Sequence, residues 1–111
     1  MTTTFVCAGL YYRTCPHGTQ AKGEVVESHR HNFDHATWIT RGSYRIEATL
    51  PDGTKRDGVF KAFNMVEIKA GVDHKLTALE DGSEYFCIYP SRNPETGEVV
   101  QEYNGWDAAY G

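Results

Sequence analysis

Apolar and polar residues alternate in short runs along most of this 111-residue chain, a pattern typical of β-strands that bury one face. The clearest run is Ser43 to Leu50, in which every second residue is apolar or aromatic. Turn-forming stretches such as Pro51-Asp52-Gly53-Thr54 and Glu80-Asp81-Gly82-Ser83 separate the runs. No long segment repeats apolar residues at helical spacing, so the pattern predicts an all-β domain of eight or more short strands.

The alternation also predicts where most of these strands lie. Residues 91–111 differ in character, and we expect them to form a C-terminal edge strand and tail in which Trp106 and Tyr110 anchor the tail on the barrel or on a partner subunit. The extended segments predicted are Thr3–Arg13, Gly23–His31, His35–Arg41, Ser43–Leu50, Lys55–Phe63, Asn64–Ala70, a run from His74 to Ala78, Glu84–Tyr89 and Glu98–Tyr103.

Composition narrows the class of protein. A chain of 111 residues is expected to form one domain, residues 1–111. The net charge of −4, with acidic and basic residues interspersed, provides no basic stripe for nucleic acid. No apolar run approaches the roughly 20 residues of a membrane span, and the N-terminus lacks the order of regions of a signal peptide. Three cysteines without a CxxC spacing indicate reduced thiols, and we therefore expect a cytoplasmic protein.

The histidines carry the candidate chemistry. His29 and His31 are separated by one residue, so on a strand both side chains point to the same face. The turn-prone triplet Asn32-Phe33-Asp34 can reverse the chain and return His35 on a neighbouring strand, and His74 follows a second turn-like stretch. Four neutral imidazoles that converge on one point form a site for a divalent transition metal.

The spacing of these residues resembles a known motif. From Gly23 the chain has five residues before His29, one before His31, three before His35 and six before Gly42. This resembles the first motif of the cupin superfamily, G(X)5HXH(X)3-4E(X)6G, with every interval kept. His35 stands where most cupins have a glutamate ligand.

The second cupin motif, G(X)5PXG(X)2H(X)3N, is partly met. Gly71 and His74 match it, whereas Phe63, Lys69 and Ala78 occupy its leading glycine, proline and asparagine positions. The resemblance implies a double-stranded β-helix (jelly-roll) cupin barrel, with His29, His31, His35 and His74 as metal ligands. It also implies a homodimer, because cupins commonly pair through their sheets.

Four imidazoles supply no negative charge, so a bound ion would keep its full 2+ charge. That charge favours an anionic or enolisable small-molecule substrate. An octahedral manganese(II) or iron(II) ion would keep two open positions, enough for a bidentate substrate or for substrate and dioxygen. Four histidines would occupy all four coordination positions of a tetrahedral zinc ion. Nickel, copper and cobalt also accept imidazole, and similarity to other three- and four-histidine cupins favours manganese or iron.

Candidate catalytic residues are Glu27 and Tyr85. Strict alternation would place Glu27 on the face of His29, beneath the metal, unless a bulge turns it outward. Tyr85 shares a face of the strand Glu84–Tyr89 with Cys87 and Tyr89, and the sequence does not assign that face to the cavity.

Three functions follow from these residues. The favoured one is a dioxygenase-type oxidoreductase. A non-oxidative lyase or isomerase, in which Glu27 or a tyrosine moves a proton, is the first alternative, and a non-catalytic metal- or sugar-binding module is the second. Three arginines are candidates for binding a carboxylate or phosphate of the substrate: Arg13, Arg41 and Arg45. For each of them the alternative is a solvated charge on the protein surface.

Overall fold

The computed structural model describes residues 4–7, 10–16, 18–31 and 34–90 of the chain. The predicted C-terminal edge strand and tail, residues 91–111, lie outside the described residues. The strands are β1 (Thr4–Cys7), β2 (Leu10–Thr14), β3 (Val25–His29), β4 (His35–Arg41), β5 (Ser43–Thr49), β6 (Lys55–Lys61), β7 (Met65–Ile68), β8 (Asp73–Ala78) and β9 (Glu84–Pro90).

These strands form two antiparallel sheets that pack against each other. One sheet has five strands in the order β1-β2-β9-β4-β7, and the other has four in the order β3-β8-β5-β6. Consecutive strands often lie in different sheets, which is the connectivity of a jelly roll. The predicted all-β jelly-roll barrel is therefore confirmed. In the described part of the chain no helix is long and apolar enough to cross a membrane.

The first predicted strand is divided into two. The sequence predicts one strand over Thr3–Arg13, but β1 and β2 pair antiparallel, from Thr4 opposite Arg13 to Cys7 opposite Leu10. Both halves are rich in β-forming residues. High β-propensity favours extended backbone without showing where the chain reverses, so the pattern gave no sign of the division.

The core lies between the sheets and is partly aromatic. The rings of Tyr44 (β5) and Tyr85 (β9) meet edge to face with centroids 5.2 Å apart. The hydroxyl of Tyr44 donates a 2.7 Å hydrogen bond to Oε1 of buried Gln20, so its polar end is satisfied. The buried hydrophobic cluster comprises Cys15, Ile39, Tyr44, Ile46, Leu76, Ala78 and Tyr85.

Two sharp turns hold the sheets in position. Gly42, between β4 and β5, has φ +67° and lies against the fully buried Ser83, with which a Cβ at this position would overlap. Phe63, between β6 and β7, is the residue at the leading glycine position of the second motif, and its φ is +73°. The amide of Phe63 donates to the carbonyl oxygen of Ile39 at 2.6 Å, while its side chain is 76% exposed. The backbone thus keeps a glycine-like conformation where the glycine itself is missing.

Candidate metal centre

The β3–β8 ladder brings two histidines face to face. His29 and His74 are partners in the register, and their ring centroids are 4.2 Å apart. His31, just beyond β3, has its ring centroid 5.0 Å from that of His29 and 5.5 Å from that of His74. Each of these three residues offers a ligand atom, and the three atoms all lie within 4.8 Å of one another. Nitrogens that share an ion at about 2.1 Å lie about 3–4 Å apart, so little movement would close the set around one ion.

His35 approaches the same cluster from the other sheet. It begins β4, is only 4% exposed, and has its ring centroid 5.1 Å from that of His31 and 5.0 Å from that of His74. The structure therefore brings together all four histidines singled out in the sequence. The most compact group of ligand atoms belongs to His29, His31 and His74. The ring of His35 lies directly beside this group.

Backbone carbonyls orient two of the rings in the same way. Nδ1 of His29 lies 2.8 Å from the carbonyl oxygen of Glu27, and Nδ1 of His74 lies 3.0 Å from that of Val72. A ring that donates from Nδ1 keeps its Nε2 lone pair for a ligand, the arrangement usual for metal-binding histidines. Nε2 of His74 is buried and has no hydrogen-bond partner among the described residues. A buried imine nitrogen with a free lone pair fits a divalent metal ion.

Burial favours the neutral form of three of the four histidines, His31, His35 and His74. Burial, reinforced by the neighbouring His29 and His74, lowers the pKa of His31 to about 4. Burial, followed by the charges of His74 and His31, lowers the pKa of His35 to about 3. Burial also lowers the pKa of His74. Only neutral imidazole binds a metal, so the interior prepares these rings as ligands.

The cluster lines a cavity of about 430 Å³, a size typical of small-molecule sites. Among its described lining residues Arg13 is the only one with a permanent charge, and none is a carboxylate. The cavity therefore favours an anion over a cation. The lining residues are Arg13, Thr14, Pro16, Val26, His29, His31, His35, Tyr85, Cys87 and Tyr89.

The Tyr85-Cys87-Tyr89 face of β9 lines this cavity, which answers the question that the sequence left open. Burial raises the pKa of the Cys87 thiol to about 11 and raises the pKa of Tyr85 as well. Both groups stay protonated at neutral pH. They can donate a hydrogen bond to a substrate but are poorly suited to remove a proton from it.

Glu27 does not lie in the cavity. The β3–β8 register shifts between Val26 and His29, so strict alternation fails there. Val26 lines the cavity, whereas the side chains of Glu27 and Val25 are exposed. Glu27 therefore does not share the cavity face of His29, because the register shift turns its side chain outward. What Glu27 contributes to the site is its carbonyl oxygen.

The three candidate arginines lie in different environments. Arg13 lines the cavity, opposite Cys87 in the β2–β9 register. Arg41 is exposed and lies 3.9 Å from a carboxylate oxygen of Glu84. Arg45 is engaged by Asp57 at 2.5 Å on the protein surface. The sequence offered no signal that distinguished Arg13 from the other two, because the distinction depends on which strand faces the histidines.

Comparison with known proteins identifies the fold. No protein-family model matches the sequence, and no curated protein matches it. Oxalate decarboxylase from Bacillus subtilis superposes with a TM-score of 0.62 and 20% identity over 80% of this chain and 27% of its own. KdgF from Halomonas sp. gives 0.64 and 18% identity over 85% of this chain and 82% of its own. The CENP-C cupin domain of Drosophila melanogaster gives 0.60 and 14% identity over 80% and 65%.

The protein therefore has a cupin fold, and a histidine cluster lines its cavity. The chain spans only about a quarter of the oxalate decarboxylase chain, 27% of its length. At these identities the likeness is one of fold, and a fold of this kind supports many functions. The function of the protein therefore depends on the residues of the site.

Proposed function

We propose that this protein is a metal-dependent cupin that binds one divalent transition ion through His29, His31, His35 and His74 and acts as an oxygenase on a small anionic or enolisable substrate. The observation that carries the proposal is the convergence of ligand atoms from His29, His31 and His74 within 4.8 Å. Manganese(II) or iron(II) is the preferred ion, because an octahedral ion with four protein ligands keeps two positions for small molecules.

Four further residues of the cavity have a part in this proposal. The ion, when bound, would supply Lewis acidity and a route for electrons between substrate and dioxygen. Arg13 would hold the negative end of the substrate, since a guanidinium binds a carboxylate through two parallel hydrogen bonds. Tyr85 and Cys87, which stay protonated, would donate hydrogen bonds to substrate oxygens and exclude water from that wall. Val26 would contribute an apolar surface to the same cavity.

The non-oxidative alternative has less support from the cavity. A lyase or isomerase that abstracts a proton needs a base near the substrate. Among the described lining residues there is no carboxylate, and the pKa values of Tyr85 and Cys87 are raised. A substrate that is already an anion requires no such base. The same holds for a substrate whose proton becomes acidic when it binds a metal ion. We therefore favour oxidation of a bound anion.

The test begins with the metal and continues to turnover. Elemental analysis of the purified protein should find about one transition ion per chain. Oxygen uptake is then measured with small dicarbonyl acids and enolisable acids as probes. Oxygen consumption that matches substrate loss supports the proposal. Product formation without oxygen would favour the lyase alternative, and ligand binding without turnover would favour a binding module.

Variants of two arginines distinguish specific anion binding in the cavity from an effect of the net charge of the protein. Arg13→Gln should weaken binding of an anionic substrate by about tenfold or more and leave the metal content unchanged. Arg41→Gln removes the same charge from an exposed position and should change neither. Equal effects of the two variants would contradict a role for Arg13 in the site.

A further inference from the structure

A second cavity opens on the opposite side of the barrel. Strand β6 ends the four-stranded sheet and β7 ends the five-stranded sheet, and a cavity of about 590 Å³ lies between these two edges. It shares no lining residue with the cavity of the histidines. Its volume falls in the range of small-molecule sites, about 300–1,000 Å³. The walls are formed by the apolar residues Ile46, Ala48, Leu50, Phe60, Val66, Ile68 and Val72.

One wall is shaped by a glycine in the middle of a strand. Gly58 and Phe60 lie on the same face of β6, and a Cβ at position 58 would come within 3.0 Å of the Phe60 ring. The missing side chain lets the ring lie across the strand. Glycine inside a strand costs stability and marks a site of close approach. Here it makes an aromatic wall for the cavity.

The charges at the rim are mostly paired, with one exception. Asp57 is held by Arg45 at 2.5 Å, and Glu67 is held by Lys69 at 2.6 Å. Arg56 also lines the cavity, and alternation puts it on the same face of β6 as Phe60.

The hydrogen bond of Arg56 goes to the backbone, to the carbonyl oxygen of Lys55 at 3.2 Å. Its charge contributes to the lowered pKa of Asp52, yet no carboxylate of the described residues lies within ion-pair distance of it. A guanidinium at the mouth of an apolar cavity is thus available to an anion.

We infer that this cavity binds an amphiphilic carboxylic acid, with its apolar body between Phe60 and Val66 and its carboxylate on Arg56. A volume of this size accommodates about ten to twenty non-hydrogen atoms, as in a medium-chain acid or a two-ring aromatic acid. Burial of the apolar body supplies most of the affinity, and the planar guanidinium selects the head group. The site is separate from the metal centre and needs no metal.

Head-group discrimination tests this inference. Decanoate, decanol and decylammonium have the same apolar chain and differ in charge, and their binding can be measured by calorimetry below the concentrations at which they aggregate. Decanoate should bind more tightly than decylammonium by about tenfold or more. Arg56→Gln should remove this preference, whereas Lys55→Gln, on the opposite face of β6, should keep it.

Two further measurements locate the site. Ala48→Phe places a ring in the cavity and should abolish binding of all three probes. Methyl NMR of the unaltered protein should show decanoate-dependent shifts at Ile46, Val66 and Ile68, which covers the case in which Ala48→Phe fails to fold. Elemental analysis should find the metal content unchanged in Arg56→Gln and in Lys55→Gln.

Several results would overturn the inference. They are absence of decanoate binding, equal affinity for decanoate and decylammonium, and shifts confined to the histidine cavity. Binding that appears only in a Trp106→Ala variant would assign the cavity to the C-terminal segment 91–111. Binding that appears only on dilution of a dimer would assign it to a second copy of the chain.

Discussion

His29 of β3 and His74 of β8 face each other across one rung of the four-stranded sheet, and each ring directs Nδ1 to the carbonyl oxygen two residues earlier in its own chain segment. The same local arrangement thus occurs twice, on two strands that pair. Because both Nδ1 atoms are engaged, both Nε2 atoms are left for a shared ligand. Contacts with the backbone thus fix the orientation of both rings.

Removal of one of these rings should abolish tight metal binding. His74→Ala removes a buried ligand atom, and we expect manganese(II) affinity to fall by about 100-fold or more, because loss of even a supporting partner costs about 10–100-fold. Affinity is measured by chelator competition and stoichiometry by elemental analysis. Lys75→Ala, the next residue along β8, is the matched control and should bind metal normally. Undiminished metal in His74→Ala would refute the ligand assignment.

Two substitutions at one position test the fourth ligand. His35→Phe keeps a ring of similar size but cannot bind a metal, so affinity should fall by about tenfold or more. His35→Glu restores the acid that most cupins have there, and it should keep the metal while it lowers the charge of the site by one unit. Anion binding, measured by calorimetry with a small dicarboxylate, should then weaken. Normal metal affinity in His35→Phe would show that three histidines suffice.

The metal-free protein should lose stability in mild acid. The unfolded chain takes up protons near pH 6.5, whereas folded His31 and His35 resist protonation down to about pH 4 and pH 3. Their lowered pKa values therefore cost no stability above pH 6.5, and stability declines progressively as the pH falls from 6.5 toward 3. At about pH 5 the loss should be about 2 kcal/mol for each of the two residues, or about 4 kcal/mol together.

Urea denaturation of the chelator-treated protein at about pH 7.5 and about pH 5 measures this loss. A His31→Asn/His35→Asn double variant is the control, and its stability should depend less on pH between these values. Identical pH dependence of the two proteins would show that these histidines do not account for the effect.

The corner at Gly42 should be intolerant of any side chain. A Cβ there meets Ser83, and φ is +67°, so we expect Gly42→Ala to lower the free energy of unfolding by about 2–3 kcal/mol. Gly53→Ala is the matched control, because Gly53 has φ +87° but faces open space. It should cost about 1 kcal/mol. Equal losses in urea denaturation would mean that contact with Ser83 is unimportant.

Phe63 should show a reversed preference between glycine and alanine. At most positions alanine is the more stabilising of the two, but the positive φ of 73° penalises a Cβ. Phe63→Gly should therefore be more stable than Phe63→Ala by about 1 kcal/mol. Because the ring is largely exposed, its loss is common to both variants and small. Greater stability of the alanine variant in thermal denaturation would contradict this account.

Much of the fold could be predicted because it is local. Strand alternation and turn residues act over a few neighbours, so β4, β5 and β9 lie where the pattern put them. The placement of His29 and His31 on one face is also local, because it depends only on their spacing in an extended segment. The division of Thr3–Arg13 into two strands was missed, because both halves favour extended backbone equally.

The sequence by itself determined that the protein is all-β and which histidines are candidates for one site. Only the tertiary structure decided which side chains meet. The pairing of β3 with β8 places His74 opposite His29, the register shift after Val26 turns Glu27 outward, and β2 brings Arg13 to the cavity. These outcomes depend on contacts between residues far apart in the chain, and a one-residue change of register reverses the face of every side chain beyond it.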